Sequence, residues 1–308
     1  MFYDKNEGFI EKINNKLYLE LINKTLRIIK LCRDNNFKYN NNEFIEFKEK
    51  IYSVSISPKK RQIFACLADK KIVKIFDYTE EDRKIKISKD EIIDKSEISG
   101  HFNKCIDLTK GYIVTSDNKN IIIWKNNKAN KFIKFKIFDI GIKTSDLLFV
   151  NGNYIISSQP QNKTISIYDI KNLIQEKIIT NIDSIDSYRC LLKYKDYIII
   201  NCERGIALFW VKTRELFQYI ENYKELAKNK EIFLDDMGEV CILNKNISAE
   251  KKFVSSIIRF EMVYGSLEPF EETNEIITDY DLNNIICLIN ERFVLFDKYI
   301  YSINECKK

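Results

Sequence analysis

His101, Ser116 and Asp117 fall in one short stretch of the chain, and their side chains are the three that a nucleophilic hydrolase needs. In such a site a carboxylate orients an imidazole, which takes the proton of an attacking hydroxyl. His101 is the single histidine, so base catalysis of this kind would rest on it alone. Eight cysteines stand at 32, 66, 105, 190, 202, 241, 287 and 306. They include no CxxC pair, so with one histidine no zinc-ligand spacing is spelled. Cys66, Cys202, Cys241 and Cys287 fall in predicted strands and read as reduced core residues rather than a disulfide framework. No converging carboxylates imply a hydrolytic centre, and no catalytic, metal or cofactor site is expected.

The elements that would hold these residues repeat. Seven times the chain returns to an eight-residue phrase: NKTLRIIK, KKIVKIFD, NKNIIIWK, NKTISIYD, ERGIALFW, MGEVCILN and NERFVLFD, starting at 23, 70, 118, 162, 203, 237 and 290. Each is a polar turn followed by a strand whose fourth, sixth and seventh positions are mostly apolar. Successive starts differ by 47, 48, 44, 41, 34 and 53 residues. A period of roughly 40 to 45 residues with four short strands per unit is the pattern of a β-propeller, one unit to a blade. The expected fold is therefore all-β, a seven-bladed propeller of four-stranded antiparallel blades, with residues 1–308 as one domain.

The strand readings follow from short apolar or alternating runs. Blade one takes 9–13, 17–22 and 26–31, with 44–47 as its outer strand. Blade two takes IYSVSIS, QIFACL, IVKIFDY and KIKIS; blades three to five continue in the same way. Blade six is compressed, with its first strand near 224–227, and blade seven takes EIITDYD, NIICLI, FVLFD and YIYSI. Ring closure falls to the carboxyl-terminal strand or to residues 1–4, since an open ring leaves strand edges unpaired. Glycine (8) and proline (3) are scarce, so asparagine, which tolerates positive φ, is expected to make many of the turns.

Apolar residues make up 45% and charged residues 31% of the chain, with a formal charge of +5. That balance permits nucleic-acid contact without demanding it. The start, MFYDKNEGF, shows no signal-peptide pattern, and no apolar run approaches the ~18 residues of a membrane span. An intracellular, cytoplasmic protein with no membrane partner and no small-molecule substrate is expected. Charge is uneven along the chain. Between Asn118 and Phe138 lie Lys119, Lys125, Lys128, Lys131, Lys134 and Lys136 and no acid, and Lys59, Lys60, Arg61, Lys70 and Lys71 precede them. Between Phe260 and Asn290 lie seven acids, from Glu261 to Asp281, and no lysine or arginine. Either both segments are solvated faces of a charged protein, or the first three blades dock on phosphate. Contacts of the second kind read backbone and shape, not base sequence.

The phrases resemble the WD-repeat family, whose blades run from Gly-His to Asp-Lys-Thr-Ile-x-Leu-Trp-Asp. The copy at 162–169 matches with Asn162 and Tyr168 in place of Asp and Trp, and Gly100-His101 precedes Trp124 at the family's spacing. The resemblance implies that His101, Ser116, Asp117 and Trp124 form the structural hydrogen-bond network of a WD blade rather than a catalytic site, with Asn118 a rival for the Asp position. Within that family, NKTLRIIKLCRDNN (23–36) and the long interval between blades six and seven resemble the receptor-for-activated-C-kinase family. This implies a non-enzymatic eukaryotic scaffold on the small (40S) ribosomal subunit, with 18S-type rRNA and ribosomal proteins as partners and other faces open to signalling or translation factors. Lys24 matches that family's docking lysine, whereas Ile22 and Asn23 depart from its Arg-Asp. Lys24, Lys59, Lys60, Arg61 and Lys119 are the expected contacts. The alternative is an obligate WD-repeat subunit of another assembly: coat, nuclear pore, initiation factor or ubiquitin ligase.

Overall fold

The computed structural model describes residues 9–13, 17–22, 24–31, 37–38, 44–68, 70–81, 84–93, 101–109, 111–127, 131–144, 146–179, 191–195, 197–202, 205–213, 215–221, 229–234, 239–247, 253–263, 266–272, 276–278, 285–289, 293–296 and 299–302. Gly100, Lys128, Cys32, Cys190, Cys306 and the expected closure by residues 1–4 lie outside them. The chain forms two compact units, Met1–Asn181 and Ile182–Lys308.

The first unit holds four antiparallel sheets. Sheet one is β1 (Phe9–Lys12), β2 (Leu17–Ile22) and β3 (Thr25–Leu31), with both β4 (Phe37–Lys38) and β5 (Phe44–Glu46) paired to β3. Sheet two is β6 (Ile51–Ser57), β7 (Gln62–Leu67), β8 (Ile72–Tyr78) and β9 (Ile85–Ile93). Sheet three is β10 (Lys104–Thr109), β11 (Tyr112–Ser116), β12 (Asn120–Asn126) and β13 (Phe132–Asp139). Sheet four is β14 (Asp146–Val150), β15 (Tyr154–Gln159), β16 (Thr164–Asp169) and β17 (Ile174–Ile179). Sheets two to four pair their strands in chain order.

Inner strands such as QIFACL and NIIIW are apolar on both faces because a sheet lies against each face. In β7, Ile63, Ala65 and Leu67 pack toward sheet one with Leu19, Leu26 and Phe47. Phe64 and Cys66 pack toward sheet three with Phe102, Cys105 and Trp124. A third core joins Val114, Ile121 and Phe138 of sheet three to Leu147, Ile155 and Tyr168 of sheet four. Cys66 and Cys105 are buried thiols, as are Cys202 and Cys241 of the second unit.

The second unit holds sheet five, β18 (Leu191–Tyr194), β19 (Tyr197–Cys202), β20 (Gly205–Trp210) and β21 (Glu215–Glu221). Sheet six is β22 (Asn229–Leu234), β23 (Val240–Ile247), β24 (Phe253–Val263) and β25 (Ser266–Glu272), with β26 (Ile276–Thr278) also paired to β24. Sheet seven has three described strands, β27 (Ile285–Ile289), β28 (Phe293–Phe296) and β29 (Tyr299–Ser302).

Three expectations are corrected here. The first strand of sheet six is β22, and 224–227 falls outside the described residues. The EIITDYD segment supplies β26 to sheet six instead of opening sheet seven. The reason is length: β25 pairs only with the Ile258–Val263 part of the eleven-residue β24, leaving Phe253, Val254 and Ser255 to pair with Thr278, Ile277 and Ile276. The turns also depart from expectation. Among described non-glycine residues with positive φ, Asn151 is joined by Arg61, Lys163, Leu173 and Lys195, so asparagine is not the rule.

The phrase itself slips. In sheets one to five it forms the third strand, but MGEVCILN lies on β23 and NERFVLFD on β28, each the second described strand of its sheet. A bulge marks the true position. In sheets two to six the pairing of third with fourth strand shifts register immediately before Phe76, Trp124, Tyr168, Phe209 and Phe260. All five side chains are at most 2% exposed. A bulge sharpens local twist and re-aims the strand, and here it accompanies a ring set into the core. By this rule the sixth third-strand phrase is VSSIIRFE at 254–261, and the short interval of 34 is a count from a third strand to a second.

Candidate docking surface

Antiparallel pairing fixes which turns share a face. The start of each first strand lies opposite the end of the second: Ile51 opposite Leu67, Lys104 opposite Ser116, Asp146 opposite Ser158. The turn between second and third strands is therefore at the end where the first strand begins. First strands of adjacent sheets run the same way. Ser55 Oγ donates to the Cys105 carbonyl and Ser57 Oγ to Asp107 Oδ2 at 2.8 Å. Asn103 Nδ2 donates to the Thr144 carbonyl at 3.4 Å, where β10 and β14 begin. Sheet one joins the same end, since Phe47 N donates to the Lys24 carbonyl at 2.8 Å and Lys24 Nζ to the Lys48 carbonyl at 2.9 Å, on the approach to β6. The first unit thus has an entry face, where first strands begin, and an exit face opposite.

The five expected basic contacts divide between these faces. Lys24 and Lys119 are exposed on entry-face turns, whereas Lys59, Lys60 and Arg61 are exposed on the β6–β7 turn of the exit face. Lys60 is moreover paired with Asp107, which also accepts from Ser57. Around that turn stand Asp77, Glu80 and Glu81; Tyr78 N donates to the Arg61 carbonyl at 2.9 Å. The exit face is of mixed charge, and the five residues form no single patch.

The entry face is different. Four consecutive second-to-third turns each present an exposed lysine: Lys24, Lys70, Lys119 and Lys163. Lys48 and Lys50 add to them on the approach to β6. Three acids stand among them: Glu46, exposed opposite Thr25; Asp139, exposed opposite Asn120; and Glu49, which Lys70 engages at 2.9 Å, a hydrogen bond that is the main reason its carboxyl is held below the ordinary range. Lys163 escapes a search for runs of charge because it stands apart from the other lysines of its stretch. Its signal is the second position of the repeated phrase, occupied by Lys24, Lys71, Lys119 and Lys163 in turn.

The expected network of four does not assemble. Trp124 Nε1 donates to Thr115 Oγ1 at 2.8 Å, in place of a link to Ser116 or His101. Ser116 Oγ is buried with no hydrogen-bond partner among the described residues. Asp117 caps its turn, accepting from Lys119 N at 2.8 Å and Asn120 N at 2.7 Å, and its other oxygen takes Lys71 Nζ at 2.7 Å. The reason is the partner at hand: Lys71 brings a buried ammonium from the adjacent sheet to the carboxylate, and hydrogen bonds between two ionised groups are the strong ones. His101 lies against Tyr52, ring centroids 3.9 Å apart and planes tilted by 38°, and Tyr52 Oη accepts from Lys143 Nζ at 3.1 Å. Desolvation lowers the pKa of Lys143. His101, Ser116 and Asp117 are likewise not joined as a proton relay.

No known protein family and no curated protein matches the chain. Solved structures do. A Bacteroides uniformis protein described as a "putative 6-phosphogluconolactonase" is similar with a TM-score of 0.63 at 11% identity, over 97% of this chain and 92% of that one. The WD40 domain of Toxoplasma gondii coronin gives 0.59 at 12% identity, over 88% and 74%. A Lactobacillus plantarum protein gives 0.57 at 11%, over 88% and 86%. Together with the four-stranded antiparallel sheets, these likenesses show a β-propeller type of fold, shared with a WD40 domain. The expectation that the chain is not an enzyme is overturned by the first of them: a protein described by an enzymatic activity carries this architecture, so the repeat is no evidence against catalysis.

Proposed function

We propose that the chain is a seven-bladed WD-type propeller, one blade to each sheet, that serves as a docking module for a phosphate-rich partner, with the small ribosomal subunit as the assembly to test. The observation that carries the reading is the set of four exposed lysines on four consecutive entry-face turns. Such an arc follows an extended anion better than a single basic cluster would, and each phosphate contact releases condensed counterions. Lys24, Lys119 and Lys163 stand at the second position of the repeated phrase; in sheet two that position is the buried Lys71, and Lys70 just before it is the exposed residue of the turn. The approach to β6 supplies further positive charge, while the exit face balances its cations with Asp77, Glu80, Glu81 and Asp107.

The test is association with purified small ribosomal subunits as a function of salt. Lys24→Glu with Lys119→Glu and Lys163→Glu should weaken it and reduce the slope of log K against log salt by about one unit for each lysine–phosphate pair removed. Lys59→Glu with Arg61→Glu, on the exit face, should leave the slope unchanged. Equal weakening by both sets would mean that charge acts without a defined face. Weakening by neither would remove the phosphate-rich partner altogether.

A further inference from the structure

We infer that β13 is a membrane-docking strand, independent of the entry face, which seats its exposed apolar side chains in the interface of a bilayer rich in anionic lipid. Of the six large apolar residues exposed among the described residues, three belong to this one strand: Ile133, Phe135 and Ile137, 44 to 51% exposed. The others, Phe44, Ile174 and Leu216, stand singly on β5, β17 and β21. A cluster of this kind marks an interaction site rather than ordinary surface. It is not one flat face. Residues paired across two strands share a side of the sheet. Ile137 is opposite Ile122, which packs toward sheet two, whereas Phe135, in the bulge, packs edge-on against Tyr112, which lies against the core between sheets three and four. Ile133 is opposite Lys125, whose Nζ is 5.7 Å from both of those rings. The bulge therefore breaks the two-residue period and turns apolar side chains to both sides of one outer strand. A protein surface covers one side of such a strand, whereas a fluid interface takes both.

Charge selects the lipid. Lys125, Lys131 and Lys134 are exposed on or beside β13 and Lys136 is half-buried in it, and the acid of the strand, Asp139, stands at its far end, where it accepts from Gly141 N at 3.1 Å. Lys134 and Lys136 lie over the Trp124 and Phe138 rings at 5.8 and 5.4 Å. Those contacts order the aliphatic stems and leave the charge in place, since a ring does not neutralise an ammonium. Near a negative leaflet each lysine is worth about fivefold in affinity. The neighbouring outer strands are of mixed charge, with Asp90 and Glu91 in β9 and Glu176 in β17, so the attraction centres on sheet three. Depth is limited by the backbone. No described strand pairs with the far side of β13, and unpaired N–H and C=O groups do not enter hydrocarbon. The strand therefore stops in the hydrated headgroup layer and only its side chains pass, as for a protein that lies on a membrane rather than spanning it. A search for apolar spans misses such a site, because lysines separate its apolar side chains.

The probes are vesicles of phosphatidylcholine mixed with phosphatidylserine, beside vesicles of phosphatidylcholine alone. The intact chain should float with the mixed vesicles and far less with the neutral ones. Ile133→Ser with Phe135→Ser and Ile137→Ser should weaken flotation by about a hundredfold, taking roughly half of each side chain's full transfer as the part newly buried. Lys134→Glu with Lys136→Glu should weaken it by about tenfold or more. Circular dichroism of each variant reports whether the fold persists. Phe135→Trp reads insertion without removing any apolar group: lipid with brominated chains should quench its fluorescence beyond that of the parent. Lys24→Glu with Lys119→Glu and Lys163→Glu should leave flotation unchanged, which separates this site from the entry face. No flotation with the mixed vesicles, undiminished flotation of the triple serine variant, or flotation of Phe135→Trp without added quenching would each overturn the inference. So would flotation lost in the entry-face variant but kept in the triple serine variant, which would make the entry face the lipid contact.

Discussion

Removing one member of the Lys71–Asp117 pair should be among the most damaging single substitutions in the first unit. The two side chains are 5% and 3% exposed and meet at 2.7 Å, linking the second-to-third turns of sheets two and three. A buried ion pair adds little net stability over an apolar pair of like volume, but deleting one partner strands the other charge in a low-dielectric site, at about 3 to 5 kcal/mol. The structure orders the variants. Lys71→Met leaves the carboxylate with the Lys119 and Asn120 amides still donating to it, so its cost belongs near the lower end, about 3 kcal/mol. Asp117→Ala takes the carboxylate from the buried Lys71 ammonium and also leaves both amides without their acceptor, which places it near about 5 kcal/mol. Lys71→Met with Asp117→Ala removes both charges, and should cost less than the sum of the single changes by about 1 to 3 kcal/mol. Urea unfolding followed by tryptophan fluorescence in a Trp210→Phe background, so that Trp124 of sheet three reports, is the assay. Costs below about 1 kcal/mol for the single variants, or costs that simply add in the double variant, would refute the pairing.

Trp124→Phe should cost about 1 to 2 kcal/mol, since the Thr115 hydroxyl loses its Nε1–H donor within the core; a thermal melt unchanged from the parent would contradict that bond. His101→Ala should cost at least about 0.5 kcal/mol through its ring contact with Tyr52, and unchanged stability on urea unfolding would refute that contact. Gly205→Ala should destabilise sheet five, because a Cβ there would run into the Ile220 carbonyl oxygen; an unshifted melt would refute that close approach. Burial pushes the Cys66 thiol up to about 12 and Cys105 well above its usual range. Their pKa values are raised on folding, so the stability they contribute is fully present below the unfolded thiol value, about 8.5, and is lost as pH rises toward 12. Native Cys66 and Cys105 should accordingly resist iodoacetamide at about pH 8, where unfolded thiols react; labelling at the unfolded rate would refute their burial.

Periodicity carried the reading of the fold because burial on both faces of a strand leaves an apolar run that any sequence scan can see. It could not number the strands within a sheet. MGEVCILN and VSSIIRFE are both polar turns leading into apolar strands, and only the pairing of β24 with β25, with its bulge before Phe260, shows which of them occupies the third position. The same limit governs the surface. A run of lysines such as 119 to 136 is visible in one dimension, yet Lys119 reaches the entry face while Lys134 and Lys136 lie on the outer strand. Conversely Lys24, Lys70, Lys119 and Lys163 are far apart in the chain and become equivalent only because each occupies the same turn of its sheet. His101 and Asp117 departed from expectation in a third way: residue types were read correctly, but Lys71, from another sheet, is the partner the carboxylate takes. Motifs confined to one repeat therefore predict local capping well and partnerships poorly, since the strongest partner of a buried charge is decided by the neighbouring sheet. The second-to-third turn, compared across sheets rather than read along the chain, is where this sequence states its surface chemistry most directly.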